Sequence, residues 1–330
     1  MSAPAAVDGV AATLAARLPG RVERAVSSAG LTTYRCGGPF AVVARVTSDD
    51  DLRVVADVLH ASPVPRMVVG RGSNLLVDDD GFAGVALVLA GEFESIDLGA
   101  VDSSSAPPGA AEVAVRAGGA VPLPVLARRA AGAGVAGLEF FVGIPGSVGG
   151  AVRMNAGGHG AQTADVILSA RVFDLADARF RELPRRELGL AYRRSALSPS
   201  AVVVGATFVG SNDAPAVCAA RIDEIVRWRR EHQPGGQNAG SVFTNPPGDS
   251  AGRLIEAAGC KGLRVGGAVV SEKHANFFVA DAGARAADVH DLIELVRGRV
   301  YESTGVQLET ELHLVGFGPR SGARTNAEAS

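Results

Sequence analysis

Cysteine is scarce in this chain of 330 residues, and Cys36, Cys218 and Cys260 stand far apart. An odd count without C-x-x-C spacing excludes a disulfide framework and a zinc knuckle as organising devices. It fits a reducing cytoplasm, the expected compartment. None of the six histidines falls in an H-x-x-x-H or Cys/His cluster, so no metal is expected. Charge of one sign is also lacking. A net charge of −3 gives no electrostatic case for nucleic acid or an acidic membrane surface. No apolar run approaches the length of a membrane span. The start, Met1 to Leu18, is Ala-rich with Asp8 and no basic n-region, which reads as a short amphipathic helix rather than a signal peptide. Lysine occurs only at Lys261 and Lys273, a compositional bias that carries no function.

Glycine is abundant, at 42 residues, and apolar residues make up 47%. That is enough for sizeable cores, and the length predicts two or three domains. The densest glycine run spans Gly143 to Gly160, with Arg153 its only charge. Glycine makes a poor core but a good cradle, because backbone without Cβ can approach a ligand and converge N–H groups on a phosphate. Pro145 stiffens this run, and Ile144, Val148 and Val152 thread it with apolar anchors. A second cluster, Gly70-Arg-Gly-Ser-Asn74, sits between the apolar runs ending at Val69 and Val77. It reads as a strand–turn–strand rich in N–H and hydroxyl donors. It is not a dinucleotide fingerprint, lacking the third glycine and a following amphipathic helix, nor a P-loop, lacking G-K-[ST]. The two clusters together suggest one diphosphate ligand held between two loops.

Strand-like runs fall at residues 41–46, 66–69, 84–89, 112–115, 170–174, 201–209, 275–279 and 311–315. Helical spacing marks residues 49–61, 123–133, 214–231 and 284–303. Residues 102–109, rich in Pro and Ser, read as a hairpin loop, and 316–330 as a loose tail. The order is not a steady β-α alternation, so the prediction is α+β rather than a doubly wound sheet. The main boundary is placed near 211–215 and a softer one near 81–84.

Four segments hold polar groups that core packing does not explain. In Tyr192-Arg-Arg-Ser195, an extended backbone would send the adjacent arginines to opposite sides, one inward, although both can equally be solvated. Ser241 lies between Gly240 and Val242, without a G-x-S-x-G elbow, and reads as readily as an ordinary turn serine. Lys261, among glycines, can reach a phosphate or simply face water. Glu309, Glu311 and His313 share one face of an alternating segment that is as easily solvent-facing.

Taken together and in order, these segments resemble the UDP-N-acetylenolpyruvoylglucosamine reductase (MurB) family of bacterial peptidoglycan synthesis. The resemblance runs from Leu31-Thr-Thr-Tyr-Arg-Cys-Gly-Gly-Pro39 to Gly316. Its carriers are Gly70–Asn74, Gly143–Gly150 with Asn155-Ala-Gly157, Tyr192–Ser195, Ala239–Pro246, Lys261-Gly262 with Gly266–Ala268, and Leu308–Glu311. About 48 residues separate Arg193 from Ser241, which looks like the shorter form of the family, without an inserted tyrosine-bearing loop.

The resemblance implies a FAD-binding region of the vanillyl-alcohol-oxidase (PCMH) type. It would comprise two subdomains, 30–83 and 84–211, after an N-terminal extension, 1–29. An α+β substrate-binding domain at 212–317 and a tail at 318–330 would follow. It implies NADPH as reductant and UDP-N-acetylenolpyruvoylglucosamine as substrate, in a monomer. Arg193, Ser241 and Glu311 would be catalytic, with Ser241 delivering a proton to C2 and Arg193 and Glu311 stabilising the developing negative charge. Gly70, Arg71, Gly72, Ser73, Asn74, Gly143, Ile144, Pro145, Gly146, Ser147, Gly149, Gly150, Asn155 and Gly157 would hold the cofactor. Tyr192, Arg229 (or Arg230), Asn245 and Lys261 would contact substrate. A rival is an oxidase or dehydrogenase of the same cofactor fold. Many of these bind flavin covalently through a histidine in the first Gly-rich turn, which here has none, so the FAD is expected to be non-covalent. A binding protein without catalysis would be favoured by loss of Arg193, Ser241 or Glu311, and all three are present.

Overall fold

The computed structural model describes residues 3–99 and 112–318. The expected hairpin loop at 102–109 lies outside them, as does the expected tail beyond Gly318. The first layer begins with α1 (Ala3–Arg17), which buries Val7, Val10, Ala11 and Leu14 at helical spacing. Then come β1 (Val22–Ser27), β2 (Pro39–Val46), α2 (Asp49–Ala61), β3 (Arg66–Val68), β4 (Leu75–Val77) and β5 (Phe82–Leu89). The sheet order is β1-β2-β5-β3, antiparallel at β1/β2 and parallel elsewhere. The Ser48 hydroxyl caps α2 by accepting from the Asp51 N–H at 3.3 Å, and Asp49, Asp50 and Asp51 favour the positive helix end. Strand β1 has no sequence signal. It is a largely exposed edge without apolar alternation, held by pairing to β2.

The second layer holds β6 (Ile96–Leu98), β7 (Glu112–Gly118), α3 (Leu123–Gly132), β8 (Val135–Ala136), α4 (Val148–Met154), β9 (Gly157–Gly158), β10 (Ala161–Gln162), α5 (Thr163–Val166), β11 (Ile167–Asp174), β12 (Arg179–Pro184) and β13 (Ala201–Asn212). Its main sheet runs β12-β11-β13-β7-β6, all antiparallel, with β8 also on β13. Part of the glycine run read as a loop is in fact α4. Val148, Ala151 and Val152 are buried beneath it, and the Ser147 hydroxyl caps it through the Gly150 N–H. Gly149 fits a tight place there: a Cβ would lie 3.0 Å from the Val203 carbonyl oxygen and 3.1 Å from that of Gly119. Helix α6 (Pro215–His232) lies across α3, and its Cys218 and Ile222 join this second core.

The third layer comprises α7 (Ala251–Ala257), β14 (Arg264–Val265), β15 (Ala268–Val270), β16 (Phe278–Ala280), α8 (Ala286–Thr304) and β17 (His313–Val315). Val289, Leu292, Ile293, Val296 and Val300 form the buried stripe of α8, which ends at Gly305 in the left-handed region. The expected strands at 275–279 and 311–315 start later. The Asn276 side chain exchanges both its hydrogen bonds with the Phe243 backbone, and the N–H groups of Glu311 and Leu312 share the Val242 carbonyl, so regular pairing begins beyond them. This layer is stitched to the first. β17 pairs in parallel with β4, and Asp79 accepts from the Ala286 and Ala287 N–H groups at 2.9 and 3.1 Å, capping α8. Tyr34, Cys36 and Leu76 pack into the third core.

Candidate active site

The two strands flanking Gly70–Asn74 do not pair with each other. β3 joins the first sheet and β4 pairs with β17, so the turn bridges two layers. Gly72 sits at φ 59°, where a Cβ would lie 1.9 Å from the Leu31 carbonyl oxygen. The Thr33 N–H donates to Gly72 at 3.2 Å, which explains why the Leu31–Pro39 segment belongs with the turn. The second glycine turn touches the first: a Cβ on Gly70 would lie 2.5 Å from the Ser147 hydroxyl. Between and beside them opens a cleft of about 760 Å³, which shares wall residues with a groove of about 1350 Å³.

The donor set of this cleft fits a diphosphate-bearing flavin. The backbone N–H groups of Gly70, Arg71, Gly72, Ser73, Asn74, Gly146 and Ser147 donate to no described residue. Gly146 and Gly150 line the cleft, and a Cβ on either would meet nothing nearer than 3.6 Å, so side chains there would take up ligand space. Gly143, Ile144, Pro145 and Gly157 line the same cleft, and Gly149 lines the adjoining groove. Asn155 does not line it. It is buried in the left-handed region at the end of α4, with its amide spent on Gln162, Ala164 and the Ala191 carbonyl.

That last bond pins the turn that carries Arg193. Ala191 and Arg194 exchange both backbone hydrogen bonds, at 3.0 and 3.1 Å, with Arg193 at φ 55°. The segment is a tight turn rather than the extended run assumed from sequence, yet it divides the arginines as expected: Arg194 is exposed and Arg193 turns inward. Arg193 Nε stands 3.0 Å from Glu311 Oε1, with side-chain exposures of 24% and 17%. The Nε–H does not point along that line and has no aligned acceptor, so the contact is an ion pair that leaves a buried donor unsatisfied. Burial raises the Glu311 carboxyl above the usual range, and the nearby Arg193 charge only partly offsets this. Ser241 closes the group. It bridges to Phe277 beside the residues that carry Glu311, and Arg193, Ser241 and Glu311 line one cleft.

The expected substrate contacts divide. Arg229 lines the cleft, and its Nε donates to Gln233 at 2.8 Å, whereas Arg230 faces solvent. Tyr192 and Asn245 meet each other, Asn245 N–H to the Tyr192 hydroxyl at 3.4 Å, outside the cleft wall. Lys261 pairs with Glu256 at 2.7 Å and does not line the cleft. Sequence reading missed Met154, Phe277 and His313 as cleft residues. His313 Nε2 lies 3.2 Å from Met154 Sδ, and its alternation with Glu311 was a usable signal; Phe277 offered none. His159 packs edge-on against Trp228, with ring centroids 4.9 Å apart. Among the described residues no group of three or more His, Cys, Asp or Glu could hold a metal, and no helix is long and apolar enough to cross a membrane.

Comparison with known proteins agrees with this geometry. Residues 40–183 match the FAD binding domain family, and residues 232–315 match the C-terminal domain of UDP-N-acetylenolpyruvoylglucosamine reductase. The UDP-N-acetylenolpyruvoylglucosamine reductase of Paramagnetospirillum magneticum is 44% identical over 302 residues, covering 91% of this chain and 94% of its own. That of Caulobacter vibrioides is 42% identical over 292 residues, covering 87% and 92%. The crystal structure of the Thermus caldophilus enzyme superposes with a TM-score of 0.74 at 38% identity, covering 89% of this chain and 99% of that one. An α+β fold with an FAD-binding N-terminal region, a distinct C-terminal domain and this length of shared sequence place the chain in the UDP-N-acetylenolpyruvoylglucosamine reductase family.

Proposed function

We propose that this protein reduces the enolpyruvyl group of UDP-N-acetylenolpyruvoylglucosamine to give UDP-N-acetylmuramate, with NADPH as the electron source. The observation that carries the reading is the meeting of Arg193, Ser241 and Glu311 in one cleft beside two touching glycine turns with unpaired N–H groups. In this reading the turns hold the FAD diphosphate non-covalently, the layers before α6 carry the cofactor, and the layer after α6 closes on the substrate. The protein works as a cytoplasmic monomer. FAD, when bound, supplies a ring that takes hydride from a nicotinamide and yields it to a carbon–carbon double bond.

The chain's residues manage charge and the proton. Reduction of an enolpyruvyl ether builds negative charge at C2 and on the conjugated carboxylate, and donors fixed in advance stabilise it without reorganising. The Arg193 fork is always charged, and its unaligned Nε–H is available to a carboxylate. Ser241 Oγ has no hydrogen-bond partner among the described residues, and it gives its proton to C2. Glu311 works with its proton on, because a second bare carboxylate would oppose the charge that develops; burial favours that state. Arg229, Tyr192, Asn245 and Lys261 serve the nucleotide-sugar, with Lys261 leaving Glu256 to meet a phosphate.

The test is a visible spectrum of the purified protein, then anaerobic bleaching by NADPH and recovery with the enolpyruvyl sugar. A releasable flavin restored by that sugar supports the reading. A colourless protein that takes up no FAD overturns it, and a flavin restored only by oxygen points to an oxidase of the same cofactor fold.

A further inference from the structure

Asn74 belongs to the first glycine turn, yet its side chain does not face the turn's own donors. Its Nδ2 donates to the main-chain carbonyl of Glu311 at 3.0 Å, across 237 positions of sequence. Its own carbonyl accepts from the His313 N–H at 3.1 Å. The two bonds bracket Glu311 and Leu312, and the parallel β4–β17 register begins directly after them at Leu75 and His313. Only the nitrogen of an amide can face a carbonyl, so the orientation of this side chain is settled by its partner. Asparagine meets that demand because its amide is a strong donor on a short stem, and an aspartate there would set a carboxylate against a carbonyl oxygen.

On the other side, the Glu311 segment is tied to residues 242–244, through the Thr310–Phe243 bridge and the Thr244 N–H to the Glu309 carbonyl at 2.9 Å, and Asn74 is its tie to the cofactor turn. The Glu311 N–H donates to the Val242 carbonyl at 2.8 Å, next to Ser241, and among the described residues its carboxylate meets only the unaligned Arg193. Asn74 therefore stands between two parts of the site. Its backbone N–H is one of the unpaired donors of the cradle, and its amide fixes the backbone that carries the acid. We infer that Asn74 is a positioning residue that holds Glu311 in register with the cofactor turn, so that an ordered turn and a placed acid come together. The inference rests on the reductase reading above.

The experiment compares wild type with Asn74→Asp and Asn74→Ala, each saturated with FAD. Anaerobic bleaching by NADPH and recovery with the enolpyruvyl sugar are timed separately, and recovery is repeated across pH. If Asn74 places Glu311, recovery slows at least about tenfold more than bleaching, the scale expected when a transition-state group is displaced, and the alkaline limb of recovery shifts. Equal loss in both steps, with an unmoved limb, overturns the inference and leaves Asn74 as a cofactor contact alone. Hydrogen exchange of residues 310–316 in the FAD-free proteins gives a second readout, independent of activity. Exchange should quicken in Asn74→Ala, and an unchanged rate contradicts the clamp even where a variant takes up no flavin. Failure of the reductase reading itself is distinguishable, because the wild type would then show no recovery with the sugar.

Discussion

The two glycine turns proposed as the cofactor cradle and the charged cluster line one cleft but are built on opposite plans. The cradle is nearly all backbone. Its donors lie in two short runs, 70–74 and 143–150, where six of the thirteen residues are glycines that leave the backbone open. The cluster is all side chain. Arg193, Ser241 and Glu311 come from three distant segments, each held by a different neighbour: Asn155 behind the arginine turn, Phe277 beside the serine, and Asn74 under the acid. A cradle of main-chain donors tolerates side-chain change but not added volume. A cluster of side chains tolerates neither removal nor displacement.

Substitutions can break that contrast, and the largest effect is expected at Ser241. Ser241→Ala should slow recovery of the bleached flavin on the order of 10³-fold by removing the proton donor. Arg193→Gln should cost about 10²-fold in the same step and also move a pH limb. In the proposed role Glu311 keeps its proton, so activity should fall as pH rises through its folded pKa. Arg193 holds that value down against burial, so removing it should carry the alkaline limb to higher pH. A limb that stays in place or moves down would contradict the protonated role. Gly150→Val places a branched side chain where the cleft is open. Flavin affinity, read by titration, should weaken about tenfold or more, or roughly 1.4 kcal/mol, while the circular dichroism of the apoprotein is kept. The smallest effect lies outside both regions. The Tyr34 hydroxyl is fully buried without a hydrogen-bond partner among the described residues, so Tyr34→Phe should raise stability by about 1 kcal/mol; a lower melting temperature would show that the hydroxyl is in fact satisfied.

The same contrast explains what could be read from sequence. Main-chain donors advertise themselves locally, because glycine marks where a Cβ cannot go, and both turns are legible at Gly70–Asn74 and Gly143–Gly150. The long helices α2, α6 and α8 follow from their apolar spacing. Helix α4 was hidden because its buried Val148, Ala151 and Val152 are diluted by glycines that exist for close approach. The side-chain cluster was not legible from the residues. Nothing local separates Ser241 from a turn serine or Glu311 from a surface acid, and only the order of motifs across the chain singled them out. Asn155 runs the other way. Its place in a motif suggests ligand contact, but its amide is consumed in fixing the Arg193 turn. Lys261, held by Glu256 in this structure, would have to leave that carboxylate to meet a phosphate.

The most direct test takes one protein, Ser241→Ala loaded with FAD, and measures the ratio of its two half-reaction rates under anaerobic conditions. The division of labour between cradle and cluster predicts bleaching by NADPH near the wild-type rate and recovery with the enolpyruvyl sugar slower by on the order of 10³-fold. Recovery at the wild-type rate, or an equal loss in both steps, would contradict it.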